Sequence, residues 1–204
     1  MRKAMSAAAV ALATVGYWSA PVLAANIVAN GNFATETNSG SPPDSWGASG
    51  NAGADTTLPN AGDTWDGFFG DPSGSLYQLL ATPGVTYMLS FSVASDFAAY
   101  SDQGSPGFFV CFDPTAQSCG AGTDLFGGAI AGDLSTYGQY QTFTDTITAT
   151  ASNMYLSFTG QNGNGGNFYL DDVSVTPVPA PEPSDLLVLA TALGLLSLAR
   201  IRRA

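Results

Sequence analysis

The stretch "GVTYMLSFSVAS", residues 84–95, alternates strictly between large apolar and mostly small polar side chains. One face would carry Val85, Tyr87, Leu89, Phe91 and Val93. The other face would carry Thr86, Met88, Ser90 and Ser92. A period of two residues predicts a β-strand with one buried face, so this stretch indicates a sheet that covers a hydrophobic core.

The same alternation recurs along the chain. Residues 140–151 place Phe143 and Ile147 inward, and residues 153–160 place Met154, Leu156 and Phe158 together. Further strands are predicted at 26–33, 75–80, 107–112 and 168–175, and residues 25–181 show no convincing helical period. These strands, with the many Gly, Ser, Thr and Asn residues between them, predict an all-β fold, an antiparallel β-sandwich of jelly-roll type.

One predicted strand breaks its own pattern. In "FYLDDVSV", residues 168–175, Asp172 falls on the same face as Phe168 and Leu170. A carboxylate on a core-facing position predicts either a β-bulge, which would turn the side chain outward, or a bound cation.

The two ends of the chain differ from the predicted domain at 25–177. Arg2 and Lys3 precede an Ala- and Val-rich run that ends in "PVLAAN", so residues 1–24 are predicted to form a signal peptide, helical before its removal after Ala24. Residues 186–199 form an uncharged, apolar segment that predicts a short membrane helix, and three arginines follow it. An ordinary membrane anchor is the alternative for this C-terminal segment.

The C-terminal residues 178–204 resemble the PEP-CTERM sorting signal of exported bacterial proteins. The resemblance rests on the order of three parts: a Pro-Glu-Pro motif, a short apolar helix, and a basic end. The motif residues are Pro181, Glu182, Pro183, Arg200, Arg202 and Arg203. The resemblance implies transient anchoring in the inner membrane, processing by an exosortase near the Pro-Glu-Pro motif, and a final place at the cell surface or in an exopolysaccharide biofilm matrix.

The charge balance excludes several functions. All five basic residues lie in the two terminal segments, and the chain has no His. Of the 16 acidic residues only Glu182 and Asp185 lie beyond Pro181, so residues 25–181 carry a formal charge of −14. Nucleic-acid binding is excluded because nothing neutralises phosphates, and nucleophile systems that need His or Lys lack their base. The remaining chemistry, of carboxylate, hydroxyl and amide groups, suits hard cations and neutral sugars.

The domain also resembles the galactose-binding-like jelly roll of many carbohydrate-binding modules. The matching segments are "NIVANGNFATE" at 26–36, "SLYQLLATPGVTYMLSFSVAS" at 75–95 and "GNFYLDDVSVTPVP" at 166–179. The resemblance implies a structural Ca²⁺ held by a first-strand Glu and a last-strand Asp. Ala34 stands where the group commonly has Glu, so the implied ligands here are Glu36 and Asp172.

Two cysteines and two polar loops complete the candidate sites. Cys111 and Cys119 flank a short loop and, in an exported protein, are predicted to form a disulfide. The loops at 63–74 and 160–168 combine aromatic side chains with carboxylates and amides, a combination that binds sugars; the predicted ligand-binding residues are Trp65, Asp66, Phe69, Asn162 and Asn164. The alternative for these residues is packing and turn formation.

Three functions fit these observations. The chain is expected to be a noncatalytic surface or matrix protein that associates with exopolysaccharide. A structural or adhesive protein without a specific ligand is the first alternative. A glycoside hydrolase that uses two carboxylates is the second, because paired acids are the catalytic system that this composition permits.

Overall fold

The computed structural model describes residues 25–60, 62–82, 85–96, 107–120, 124–126, 138–162 and 166–179. Seven strands form its regular structure. They are β1 (Gly47–Asp55), β2 (Asp66–Ala81), β3 (Thr86–Ser95), β4 (Gly107–Asp113), β5 (Gln141–Thr148), β6 (Asn153–Gln161) and β7 (Phe168–Pro177).

All of the strand pairs are antiparallel, and they form one continuous sheet in the order β4-β6-β2-β7-β3-β5, with β1 paired to β2. Strand β2 connects the two halves of this sheet. Its residues 67–69 pair with β7, whereas its residues 73–81 pair with β6. Residues 70–72 pair with neither β6 nor β7, so β2 passes from one half to the other there.

The two halves pack face to face around an aromatic core. Phe158 of β6 lies 5.2 Å from Phe91 of β3 and 6.1 Å from Trp46, measured between ring centroids. Phe108 of β4 lies 6.2 Å from Phe158, on the same inner side. The predicted all-β antiparallel sandwich is therefore confirmed, with Trp46 as part of its core.

The opening stretch follows its alternation in part. In β3, the side chains of Tyr87, Leu89, Phe91 and Val93 have at most 1% of their surface exposed, and Met88, on the opposite face, is 43% exposed. Val85 precedes the strand and is exposed instead of buried, and Ser92 is buried although it was assigned to the outer face. No stretch of helix in the described ranges is both long enough and apolar enough to span a membrane. The predicted helices in residues 1–24 and 186–199 lie outside those ranges.

The N-terminal segment differs from the prediction. Residues 26–33 form no strand, because Asn30 and Phe33 adopt positive φ values of 49° and 52° that interrupt an extended backbone. Backbone hydrogen bonds still hold the segment against β7, from Ile27 N–H to the Val175 carbonyl and from Val173 N–H to the Gly31 carbonyl. Strand β1 is not predicted, since "GASGNAGAD" has no large apolar side chain to alternate.

The irregularity at Asp172 is a β-bulge. The register between β3 and β7 shifts between Ser90 and Ser92, and Asp172 has a φ of 52°. The extra residue turns the Asp172 side chain outward, while Leu170 and Val173 remain in the core. Of the two explanations predicted for Asp172, the bulge is therefore confirmed.

The predicted disulfide is present between Cys111 on β4 and Cys119 in the loop that follows. This loop lies over the outer faces of β4 and β6. The Cys119 N–H donates to the Thr159 hydroxyl over 2.8 Å, and the Ser157 hydroxyl donates to the Ala116 carbonyl over 3.0 Å. The crosslinked loop therefore covers the outer face of β6 at Ser157 and Thr159, and it leaves the neighbouring outer face around Tyr155 uncovered.

Candidate functional site

The uncovered part of this outer face carries two tyrosines. Tyr77 of β2 and Tyr155 of β6 are half-buried, and their ring centroids lie 6.0 Å apart at an interplanar angle of 78°. Gly47 of β1 is the register partner of Tyr77, and a Cβ there would lie 2.3 Å from Tyr77 Cε2. The missing side chain therefore lets the Tyr77 ring lie across β1.

A third apolar residue and a carboxylate extend this surface. Tyr155 of β6 has a register partner on each side. They are Leu79 of β2, which is 53% exposed, and Asp113 of β4. Residues directly opposite each other share a face of the sheet, so Leu79, Tyr155 and Asp113 form a row. We call Tyr77, Leu79 and Tyr155 the tyrosine platform.

Asp113 gives the tyrosine platform a charged border. Its Oδ1 accepts hydrogen bonds from the Thr115 N–H, the Ala116 N–H and the Thr115 hydroxyl, at 2.7–2.9 Å. These donors hold the pKa of the Asp113 carboxyl below its ordinary value. Aromatic rings beside an ionised carboxylate can stack on the apolar face of a sugar while the carboxylate accepts hydrogen bonds from its hydroxyls.

The ligand-binding residues predicted from the loops do not form such a surface. Asp66, Phe69 and Asn162 have no exposed surface, and Trp65 is half-buried against the core. Asn164 lies outside the described residues. Phe69 contributes to the core, because the predicted loop at 63–74 is in fact part of β2 from Asp66 onward.

Asn162 has a structural role rather than an exposed one. Its Nδ2 donates to the Phe69 carbonyl over 2.7 Å and to the Gly166 carbonyl over 3.1 Å, and its N–H donates to the Pro72 carbonyl. The amide thus joins the end of β6 to β2 and to the segment that leads into β7. It is not available to a ligand.

A group of aspartates lies elsewhere, where β1, β2 and β7 meet the loop at 56–65. Asp63, Asp171 and Asp172 each bring one carboxylate oxygen within 4.8 Å of the others. Asp66 of β2 is the register partner of Asp55 of β1. On its other side, Gly67 pairs with Leu170 of β7, so the next position places Asp66 opposite Asp171. We call Asp63, Asp66, Asp171 and Asp172 the aspartate cluster.

Two members of the aspartate cluster are buried without compensation. The pKa of Asp66 is raised to about 8, mainly by burial and also by the charges of Asp55 and Asp171. The nearby Leu58 N–H and Tyr140 hydroxyl lower the pKa in part. The Tyr140 hydroxyl, however, donates its hydrogen bond to the Leu58 carbonyl over 2.8 Å. Neither carboxylate oxygen of Asp66 has a hydrogen-bond partner in the described residues.

Asp171 is perturbed for the same main reason. Burial raises its pKa to about 7, although the Asp172 N–H donates to its Oδ1 over 2.7 Å and favours the charged form. The charges of Asp172 and Asp63 raise the pKa. Its Oδ2 is buried and has no hydrogen-bond partner in the described ranges.

The pair implied by the carbohydrate-binding resemblance is divided between two networks. Glu36 Oε1 accepts from Asn30 Nδ2 over 2.6 Å and from the Asp44 N–H over 2.8 Å. Asp172 Oδ2 instead accepts from Asn60 Nδ2 over 2.8 Å. The bulge turns Asp172 toward the β1–β2 loop, so its nearest carboxylates are Asp63 and Asp171 rather than Glu36.

Sequence reasoning missed the tyrosine platform. It named two members of the aspartate cluster, Asp172 as a metal ligand and Asp66 as a sugar contact, but did not bring them together. The available signal for the tyrosine platform was that Tyr77 and Tyr155 occupy positions of their strands that alternation assigns to the outer face. The available signal for the aspartate cluster was the Asp-Asp pair at 171–172 near the end of the domain. Neither signal shows which residues from other strands lie beside it.

Comparisons with known proteins give similarity of fold. No protein-family model and no curated protein matches this chain. A solved structure of a cyclase from Fischerella sp. TAU, in complex with 4-(1H-indol-3-yl)butan-2-one, is 16% identical with a TM-score of 0.52; the match covers 78% of this chain and 100% of the cyclase. At this identity the likeness shows the fold alone.

Carbohydrate-binding modules are also among the similar structures. TmCBM61, solved in complex with beta-1,4-galactotriose, is 12% identical with a TM-score of 0.48; the match covers 76% of this chain and 99% of that one. A family 16 carbohydrate-binding module is 15% identical with a TM-score of 0.41, and the match covers 61% of this chain and 84% of that one.

Proposed function

We propose that this chain is an exported, noncatalytic protein that binds a neutral polysaccharide on the tyrosine platform. The observation that carries the proposal is the pair of half-exposed rings, Tyr77 and Tyr155. Exposed Leu79 lies opposite Tyr155 on β2, and ionised Asp113 lies at the border. Stacking on such rings needs no basic side chain. The formal charge of −14 on residues 25–181 would repel an acidic polysaccharide, which is why the proposed ligand is neutral.

Replacing either tyrosine is expected to weaken binding at least about 10-fold, because an aromatic anchor at the centre of a contact surface carries much of the binding free energy. The measurement is affinity electrophoresis of the protein and of the Tyr77→Ala and Tyr155→Ala variants in gels that contain neutral polysaccharides. Galactans, glucans, xylans and the exopolysaccharide of the producing organism would be compared at equal concentration.

The matched control is Trp65→Ala, which removes an aromatic side chain from the loop where the sequence predicted the site. We expect its mobility shift to equal that of the unchanged protein. A shift that is lost in Trp65→Ala and kept in both tyrosine variants would place the site in the loop instead. No retardation by any polysaccharide would favour the structural or adhesive alternative.

The hydrolase alternative has less support. Among the described residues, the carboxyl groups with raised pKa values that an acid catalyst needs are Asp66 and Asp171, and both are fully enclosed. A sugar would have no access to them in this conformation. Release of reducing ends from the same polysaccharides would nevertheless overturn the noncatalytic proposal.

We also propose that the C-terminal residues are a processing signal, so that the inner membrane holds the chain until an exosortase releases it to the cell surface or matrix. The support is the order of Pro181-Glu182-Pro183, the apolar segment at 186–199 and the final arginines. Co-expression with an exosortase is expected to give a shorter chain that ends near Glu182, as measured by intact-protein mass spectrometry.

The Glu182→Ala variant should remain at full length in that experiment. Asp185→Ala, which removes a nearby charge outside the Pro-Glu-Pro motif, should be shortened like the unchanged chain. An identical C-terminus with and without the exosortase would show that the segment is an ordinary anchor.

A further inference from the structure

The aspartate cluster brings like charges together at the meeting point of three strands. Asp55, Asp66 and Asp171 follow one another across β1, β2 and β7. Like charges directly opposite each other in a sheet destabilise it. Asp55 is compensated, because its carboxylate accepts from the Ser39 hydroxyl, the Thr56 N–H and the Thr57 hydroxyl.

The other members lack such donors. Asp66 and Asp171 are fully buried, and three of their four carboxylate oxygens have no hydrogen-bond partner in the described residues. A buried polar group without a partner destabilises the fold, and a buried charge does so more strongly. A fold that encloses two such groups side by side needs a positive charge or protons at this place.

The domain at 25–177 offers no positive side chain for this role, because between Lys3 and Arg200 there is no Lys, Arg or His. A cation from solution can supply the compensating charge. The ligands offered are all oxygens. Asp63 in the loop and Asp171 and Asp172 at the bulge bring one carboxylate oxygen each close together. Asp66, at the start of β2, lies opposite Asp171 and adds a buried carboxylate without hydrogen-bond partners in the described residues.

The spacing of these oxygens suits Ca²⁺. Calcium binds six to eight oxygens at about 2.3–2.6 Å, so two ligands of one ion lie at most roughly 5 Å apart. The oxygens of Asp63, Asp171 and Asp172 all lie within 4.8 Å of one another, so one such ion can reach all three. Magnesium, with ligands at about 2.0–2.1 Å and a strict octahedron, requires tighter spacing and keeps more of its water.

We propose that Asp63, Asp66, Asp171 and Asp172 bind one Ca²⁺ ion, which joins the loop between β1 and β2 to the bulge of β7. Glu36 takes no part, since its carboxylate serves Asn30 and Asp44. The site is distinct from the tyrosine platform, because Asp66 stands at the start of β2 whereas Tyr77 and Leu79 lie near its end. Stacking on the platform needs no ion. Calcium at this place supplies charge compensation and fixes the β1–β2 loop.

The test is Ca²⁺ titration of the full 204-residue chain in a mild detergent, by isothermal calorimetry after removal of metal with EGTA. We expect a single site. Thermal unfolding should show a Tm that is about 5–10 °C higher at 100 times the Kd than in EGTA. Mg²⁺ at the same concentration should give a smaller rise.

Variants distinguish this ligand set from the one that the resemblance implies. Asp63→Asn and Asp171→Asn should each weaken Ca²⁺ binding at least about 30-fold and remove most of the rise in Tm. Two control variants should bind Ca²⁺ with a Kd within 2-fold of the unchanged chain. They are Glu36→Gln, whose Oε1 can still accept both of its hydrogen bonds, and Asp44→Asn, which removes one charge at an exposed position.

Folding of the variants has its own control. Asp66→Asn removes a buried charge without changing side-chain size, so its Tm in EGTA should equal or exceed that of the unchanged chain while its response to Ca²⁺ is lost. An absence of both heat and Tm change at millimolar Ca²⁺ would overturn the proposal. Loss of binding in Glu36→Gln with binding retained in Asp171→Asn would overturn it as well.

Discussion

Replacing Phe158 by Ala is expected to lower the free energy of unfolding by about 3–5 kcal/mol, the range for removing a buried aromatic side chain from a closely packed core. Phe158 has no exposed surface. Its ring lies 5.2 Å from Phe91, 6.1 Å from Trp46 and 6.2 Å from Phe108. These three partners come from β3, from the segment before β1 and from β4, so the cavity would weaken both halves of the sheet at once.

The measurement is urea unfolding followed by Trp fluorescence, because Trp46 lies in the same aromatic group. The control is Met88→Ala on the outer face of β3, where the side chain is 43% exposed and the expected loss is below about 1 kcal/mol. A loss for Phe158→Ala no larger than for Met88→Ala would contradict the packing described for β3 and β6. An unchanged slope with denaturant would show that only stability has changed.

Phe158 also illustrates what could be predicted from the sequence. Its place beside Met154 and Leu156 on one face of a strand follows from local alternation, as does the inner face of β3. The same rule fails for β1, whose Gly, Ala and Asn residues give no alternation. That strand forms because β2 offers it a partner along most of its length, which is a long-range cause.

The candidate sites depend still more on long-range pairing. Tyr77 and Tyr155 are 78 positions apart in sequence and meet only because β2 pairs with β6. Asp66 meets Asp171 only because β2 also pairs with β7. Composition predicted the kind of chemistry, carboxylates without any base, but the register of β2 decides which carboxylates and which rings become neighbours.

Phe69 shows the opposite error. An aromatic residue among Asp and Gly residues has the composition of an exposed loop, and the sequence prediction placed a ligand contact there. The glycines instead allow close packing inside a long strand: a Cβ on Gly67 would lie 2.8 Å from the Leu76 side chain, and one on Gly160 would lie 2.7 Å from Phe69 Cβ. Glycine next to an aromatic residue is therefore as consistent with a crowded core as with a turn.

With metal removed by EGTA, the protein is expected to become less stable as the pH rises from about 4 to about 8. Burial raises the pKa of Asp66 to about 8 and that of Asp171 to about 7 in the folded protein, whereas an unfolded Asp titrates near 3.9. Between these values the folded state holds more protons than the unfolded state. The stabilisation is therefore complete below about pH 4 and is lost progressively as the pH rises through 7 and 8.

Thermal unfolding across pH 4–8 in EGTA measures this effect, and Asp66→Asn identifies its source. Asn cannot ionise, so this variant should lose the larger part of the fall in Tm toward pH 8. Asp44→Asn, which removes an exposed carboxylate outside the aspartate cluster, is the control and should follow the unchanged chain. A Tm that instead rises from pH 4 to pH 8 in the unchanged chain would mean that Asp66 and Asp171 ionise normally, and that the fold compensates their charges without an added proton or ion.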